Sequence, residues 1–311
     1  MKEKIKKEIF EELVKEGQAK EEKNKVYNLN NPKLWFLTEE QAKEFLNIER
    51  KDPKQKMFVK EEKEILKSKT KEIESKIKTK SINIIDLGCG NGEKAKAILS
   101  SLKKEITYFP IDINDFMLKS ALKNISKLKK IKVEFSKNNK TDFMNLKKIV
   151  KKIKKKTTNV FLLLGGNFEN NEPHQLLHEI RSIMKENDFL LIGNKLSHPS
   201  VKKMINYYKN NKLIENLMKK TLELGGFDLN SLSYSARFKG NRIEIFFIFK
   251  KDQTISALNK TFSFKKGDKI IVGVSYKYTE EKLRELLGMY FSDNEIFISK
   301  NKNFFLALCK K

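Results

Sequence analysis

Cysteine is nearly absent: the 311 residues hold only Cys89 and Cys309, too few for a disulfide framework or a cysteine-based zinc cluster. Arginine is scarce as well. Of 66 basic residues only Arg50, Arg181, Arg237, Arg242 and Arg284 are arginine. No apolar run approaches the roughly 20 residues that span a bilayer. The opening MKEKIKKEIFEELVKEGQAK is charged throughout and lacks the apolar stretch of a signal peptide or an anchor. A soluble, cytoplasmic protein is expected. What remains is 39% hydrophobic with 22 Phe, enough for a sizeable core and incompatible with wholesale disorder.

The net charge of +26 raises the question of a nucleic-acid partner. Base and phosphate recognition favour the planar arginine fork, and this chain carries its charge on lysine. The accompanying richness in Asn and Ile points to an A/T-rich coding sequence as the main source. The densest cluster, LKKIVKKIKKK at 146–156, is either a phosphate-contacting patch or the wet side of a helix. Leu146, Ile149, Val150 and Ile153 recur at helical spacing and favour the helix.

Residues 1–80 read as helices broken near NLNNPKLW and ERKDPKQKM, where Asn and Pro punctuate. From 81 the texture changes. Short apolar runs at 82–88, 106–113, 131–135, 159–166 and 188–194 are separated by lysine-rich stretches of helical length. That alternation predicts an α/β domain, a parallel sheet with helices on both faces. After Leu196 a long helix over 201–226, ending in Gly-Gly, leads into strand-like segments at 231–238, 242–250, 261–264 and 269–278. A last helix and two closing strands with hairpin character follow. The expected division is a core of 61–195 with 279–311, an inserted α+β subdomain at 196–278, and an N-terminal helical region, 1–60, joined to the insertion.

The first strand of the core runs into Gly88-Cys89-Gly90-Asn91-Gly92, preceded by Asp86. A dinucleotide fingerprint would read G-x-G-x-x-G. The tighter G-x-G-x-G turn suits the amino-acid end of S-adenosylmethionine (SAM), with Gly88 and Gly90 expected to let backbone approach the ligand. Asp112 closes the next strand, where a carboxylate can accept both ribose hydroxyls. Asp142 and Phe143 follow the third strand and are candidates for the adenine amino group and ring face. Cys89 reads as a small buried filler. His174 and His178 lie four apart, but Gln175 stands where a zinc protease has Glu and no third ligand is evident. No metal is expected.

Over roughly 60–311 the chain resembles the SAM-dependent, histidine-specific methyltransferases of ergothioneine biosynthesis. The likeness is carried by EKEIL, DLGCGNGEKAK, YFPIDIND, TDF, LLLGGNFENN, MINYY and GVSYKY, in that order. It implies a Rossmann-like class I methyltransferase sheet with an inserted substrate subdomain, SAM as cofactor, and N-methylation of an amino acid or related small amine. It places Gly88, Lys94, Asp112, Asp142 and Phe143 at SAM, where the turn itself already puts Asp86, Gly90 and Gly92. Gly165 and Asn170 fall where the family holds the acceptor's amino and carboxylate groups, Tyr208 where it binds the carboxylate, and Ser275 where it contacts the imidazole. No dedicated catalytic base is implied.

Two departures bear on the acceptor. The family's glutamate two residues before the serine is Gly273 here, and a tyrosine near the substrate ring is Met57. Loss of a buried carboxylate removes a hydrogen bond worth about 1.5–3 kcal/mol, so histidine is expected to be a poor substrate. Asn170 also has a local alternative as a helix cap with Asn171, ahead of Pro173, and Tyr208 has one as a packing residue. Two other readings stay open, namely methylation of RNA or a basic macromolecular complex through the lysine-rich surface, and SAM binding without turnover. A monomer with a small-molecule acceptor and no membrane partner is expected.

Overall fold

The computed structural model describes residues 2–135, 139–141, 146–150, 153, 157–197 and 199–311. Along the chain its strands are β1 (Gln18–Glu21), β2 (Asn24–Asn28), β3 (Ser81–Leu87), β4 (Glu105–Ile111), β5 (Ile131–Val133), β6 (Thr158–Leu163) and β7 (Phe189–Lys195). There follow β8 (Leu232–Lys239), β9 (Arg242–Phe249), β10 (Gln253–Ala257), β11 (Lys260–Phe264), β12 (Lys269–Tyr276), β13 (Asp293–Ile298) and β14 (Phe304–Lys310). The chain divides into two units, 49–197 with 277–311 and 1–48 with 198–276.

The first of these units holds a sheet in the order β13-β14-β7-β6-β3-β4-β5. β3 to β7 are parallel; β14 returns antiparallel beside β7, and β13 pairs antiparallel with it. Every residue of β6 is buried, as a parallel strand covered on both faces requires. The order turns back at β3, which has the next strand, β4, on one side and β6 on the other. In such sheets the crevice for a ligand opens at the carboxyl ends of the strands flanking that reversal. Near the opposite ends, Asn83 donates to Asn159, and Asn159 donates from both backbone and side chain to Asp188. Buried polar groups there are satisfied among themselves.

The second unit is built on the sheet β1-β2-β12-β9-β8 plus the β10-β11 hairpin. Its core is aromatic. Phe249 stacks on Phe264 at 4.9 Å, Phe227 lies 5.3 Å from Phe264, and Phe10 stacks on Phe227 at 5.9 Å. Here the structure departs from the sequence reading in three places. The N-terminal region is not wholly helical: the helix Lys2–Glu16 ends at Gly17 (φ +70°), and β1 and β2 form a hairpin. β2 is held by parallel pairing with β12, a partner more than two hundred residues away that local propensity cannot see. The single helix expected over 201–226 is two, Val201–Asn210 and Lys212–Gly225. Asn211 breaks it by accepting from the N–H groups of Leu213 and Ile214, while Gly226, at φ +83°, ends the second helix as the Gly-Gly predicts. β10 is an additional strand.

Candidate active site

The turn after β3 carries three glycines with positive φ, +67° at Gly88, +53° at Gly90 and +75° at Gly92. Their missing side chains make room for different things. A Cβ on Gly88 would come within 2.6 Å of Asn167 Nδ2, and one on Gly92 within 3.0 Å of Ala121 Cα. Only a Cβ on Gly90 would meet nothing within 4 Å. The expectation that Gly88 leaves space for a ligand is therefore corrected, because Asn167 occupies that space. Of the three, Gly90 alone borders open space.

Asp112 fastens this turn. Its Oδ2 accepts the Gly90 N–H at 3.0 Å and its Oδ1 the Asn114 N–H at 3.0 Å. The N–H of Ile113 also bonds this carboxylate, so of its roughly four lone-pair sites about one remains for a further donor such as a ribose hydroxyl. Burial pushes Asp112 up to about 6, against the pull of those backbone N–H groups. Asp86, at the tip of β3, accepts from the Tyr108 hydroxyl at 2.6 Å. Burial raises it to about 7, with the neighbouring charge of Asp112 adding to the effect and the Tyr108 bond opposing it. Cys89 is buried with Leu118 and Ala121, and burial raises its thiol well above the ordinary range, consistent with a filler.

Beyond the glycine turn lies a set of buried charges. Lys94 Nζ is 2.6 Å from Glu49 Oε1 and 3.8 Å from Glu62 Oε2. Burial opposes its charge, yet the two carboxylates outweigh that and hold the ammonium protonated. Glu62 also accepts the Gly165 N–H at 2.8 Å. A Cβ on Gly165 would come within 2.5 Å of Lys94 Nζ, so this glycine, at φ +72°, is there to admit the lysine. Four residues on, Glu169 pairs with Lys195 at 2.5 Å and Lys277 at 2.8 Å. Burial would raise Glu169, but the two ammonium groups overcome it and bring it to about 2.

Asn170 ends the short helix Asn167–Asn170 and is half-buried. The alternative that it or Asn171 caps the next helix is overturned: Glu172 caps Pro173–Ile183 by accepting the Gln175 N–H at 2.6 Å. His174 Nδ1 shares a hydrogen bond of 3.0 Å with the Tyr290 hydroxyl. Among the described residues no group of three His, Cys, Asp or Glu is arranged to hold a metal ion, and no helix is long and apolar enough to cross a membrane. Asp142 and Phe143 lie outside the described residues, as does most of the lysine run beyond Val150.

In the aromatic unit, the Tyr208 hydroxyl donates to Ser275 Oγ at 2.9 Å, with both residues buried. Two candidates picked from segments 67 residues apart thus meet. Gly273, two positions before Ser275, faces Trp35: a Cβ there would lie 2.9 Å from Trp35 Cζ2 and 3.4 Å from Met218 Sδ. Trp35 is fixed by its indole N–H, which donates to the Val272 carbonyl at 2.9 Å. The place a glutamate would need is filled by an indole ring. Met57, in the other unit, is exposed.

Sequence reasoning missed Asn167, Glu49, Glu62, Glu169, Lys195, Lys277 and Trp35. Asn167 offered the clearest signal, as an amide directly after Gly-Gly at a strand tip. Trp35 is the only tryptophan in the chain. The lysines and glutamates are lost in a composition that is 34% charged.

The sequence model of one family, described as histidine-specific, SAM-dependent methyltransferases, matches residues 54–311. A search of curated proteins found no match. Among solved structures, a SAM-dependent methyltransferase from Clostridium acetobutylicum ATCC 824 is similar at 15% identity over 86% of this chain and 98% of that one, with a TM-score of 0.47. A putative methyltransferase from Thermobifida fusca YX gives 11% identity over 88% and 89%, with a TM-score of 0.45. Both are distant likenesses.

Proposed function

Because the chain belongs to the histidine-specific, SAM-dependent methyltransferase family, we propose that it methylates the amine of an amino acid or related small amine, with histidine a poor substrate. It is a SAM-dependent methyltransferase; the choice of acceptor is the inference. SAM supplies an electrophilic methyl group on a sulfonium. The residues at the strand tips fit such a group: Gly90 leaves open space, and Asp112 presents a pinned carboxylate with about one lone-pair site to spare. In this reading Asp86, Gly88, Gly92 and Lys94 shape and charge the same end of the sheet, and Asp142 with Phe143 meets the adenine.

Methyl transfer is an in-line displacement by a nitrogen lone pair, so the protein's main task is to align the acceptor and keep water out. The amine reaches its reactive form by losing a proton to water or a nearby carboxylate. Asn170, Gly165, Tyr208 and Ser275 are assigned to the acceptor. The N–H of Gly165 is already spent on Glu62, and the Tyr208 proton on Ser275. Asn170 therefore keeps the most capacity for a ligand.

The observation that carries the choice against histidine is Gly273 under Trp35. A carboxylate that would pair with an imidazole N–H is missing, and the indole has taken its room. The test is a turnover screen with SAM against free amino acids, small amines and RNA, with methylated products identified by mass. A small amine is expected to turn over and histidine to lag far behind. Robust histidine methylation contradicts the reading, and methylation confined to RNA moves it to a macromolecular acceptor.

A further inference from the structure

β3 and β6 stop pairing at Asp86 and Leu162, just before the two turns that follow them. Beyond that point a single side chain takes over from the ladder. Asn167 Nδ2 donates to the Leu164 carbonyl at 2.8 Å, to Leu87 at 3.1 Å and to Gly88 at 3.2 Å. An amide nitrogen has two hydrogens for these three acceptors, so one is shared between the adjacent carbonyls of Leu87 and Gly88. Three converging carbonyls also settle which way the amide faces, since the opposite orientation would set oxygen against oxygen. Asn167 is itself held, because Asn171 Nδ2 donates to its carbonyl at 2.7 Å.

Gly88 is the complement of this arrangement. Its α-carbon lies so close under the amide that any Cβ would fall 2.6 Å from Nδ2. Its left-handed backbone, at φ +67°, turns the chain away from the strand toward Gly90. The shape of the turn therefore depends on a bond made from the tip of β6.

We propose that Asn167 is a positioning residue for the cofactor. Its amide locks the 88–92 turn to the tip of β6 and presets the cradle at Gly90 for the amino-acid end of SAM. This rests on the reading of that turn as the SAM loop. Asn167 does not take part in the displacement; it keeps the turn from sampling shapes in which Gly90 and Asp112 no longer face one ligand.

The test compares wild type with Asn167→Ala and Asn167→Asp by titration with S-adenosylhomocysteine, alongside thermal denaturation without ligand. Affinity is expected to fall about tenfold for Asn167→Ala. The fall should be larger for Asn167→Asp, which sets a carboxylate against the same carbonyls. A merely structural role would lower the melting temperature and leave affinity unchanged. Gly88→Ala should cost less affinity in the Asn167→Ala background than alone, because the atom it strikes is gone. Affinity within about twofold of wild type in both folded variants, or strict additivity of the pair, overturns the proposal. A wild type that does not bind at all sinks the reading of the loop instead.

Discussion

The two units differ in how deeply they bury the cations of their ion pairs. The unit with the parallel sheet buries ionic groups at its strand tips: Lys94 between Glu49 and Glu62, and Glu169 between Lys195 and Lys277. The other unit fills its core with Phe10, Phe227, Phe249 and Phe264, and its buried carboxylates, Glu12 and Glu244 among them, pair with partly exposed cations, Lys33, Arg237 and Arg242. Burying charge is costly, and replacing it with apolar groups is often neutral or stabilising. The strand-tip charges therefore point to work done on a charged ligand.

If that contrast holds, the largest effect on stability should come from breaking the buried triad. Glu169→Gln leaves two lysines without their carboxylate and is expected to cost about 3–5 kcal/mol, measured by denaturant unfolding. The same pairing gives a pH signature. With Glu169 lowered from 4.5 to about 2, its contribution is fully present above the unfolded value and is lost as pH falls through the window between them. Wild type should lose stability there more steeply than Glu169→Gln.

The aromatic side of the contrast is tested at Gly273. Gly273→Glu, intended to restore a carboxylate, is expected to destabilise by about 1–3 kcal/mol through overpacking against Trp35, without gaining histidine turnover. Adding Trp35→Ala should relieve part of that loss in thermal denaturation. A Gly273→Glu protein of wild-type stability that methylates histidine would erase the distinction drawn here.

The smallest predicted effect concerns charge at the glycine turn. Burial raises Asp86 to about 7 and Asp112 to about 6. Both acquire charge as pH rises through that range, which favours a cation. The affinity for SAM relative to S-adenosylhomocysteine, which lacks the sulfonium charge, should rise about three- to tenfold between acidic and mildly alkaline pH, read by paired titrations. A flat ratio would mean that these carboxyls do not sense the sulfonium.

The parallel unit was the more legible in sequence because its information is local. Buried runs, lysine-rich helices and the spacing from Asp86 through the glycines to Asp112 all lie within one short stretch. Even there, sequence identified the glycines but not the side chains they make room for: Gly88, read as space for a ligand, serves Asn167, while Gly92 serves Ala121 and Gly165 serves Lys94. Those partners come from other segments, and their contacts depend on how strands stack. The aromatic unit was less legible because its defining contacts are long-range. β2 is specified by β12, and the meaning of Gly273 by Trp35, which lies 237 residues from the carbonyl of Val272 that fixes it.

We infer that Asp112, just beyond β4, and the turn at Gly90 hold the SAM skeleton. Titration calorimetry with S-adenosylhomocysteine on wild type and Asp112→Ala tests it most directly. Removing Asp112 orphans the backbone N–H groups of Gly90, Asn114 and Ile113 and takes away a charged acceptor, so saturable wild-type binding should weaken about a hundredfold. No binding by folded wild type, or equal affinity in the two proteins, would contradict the account.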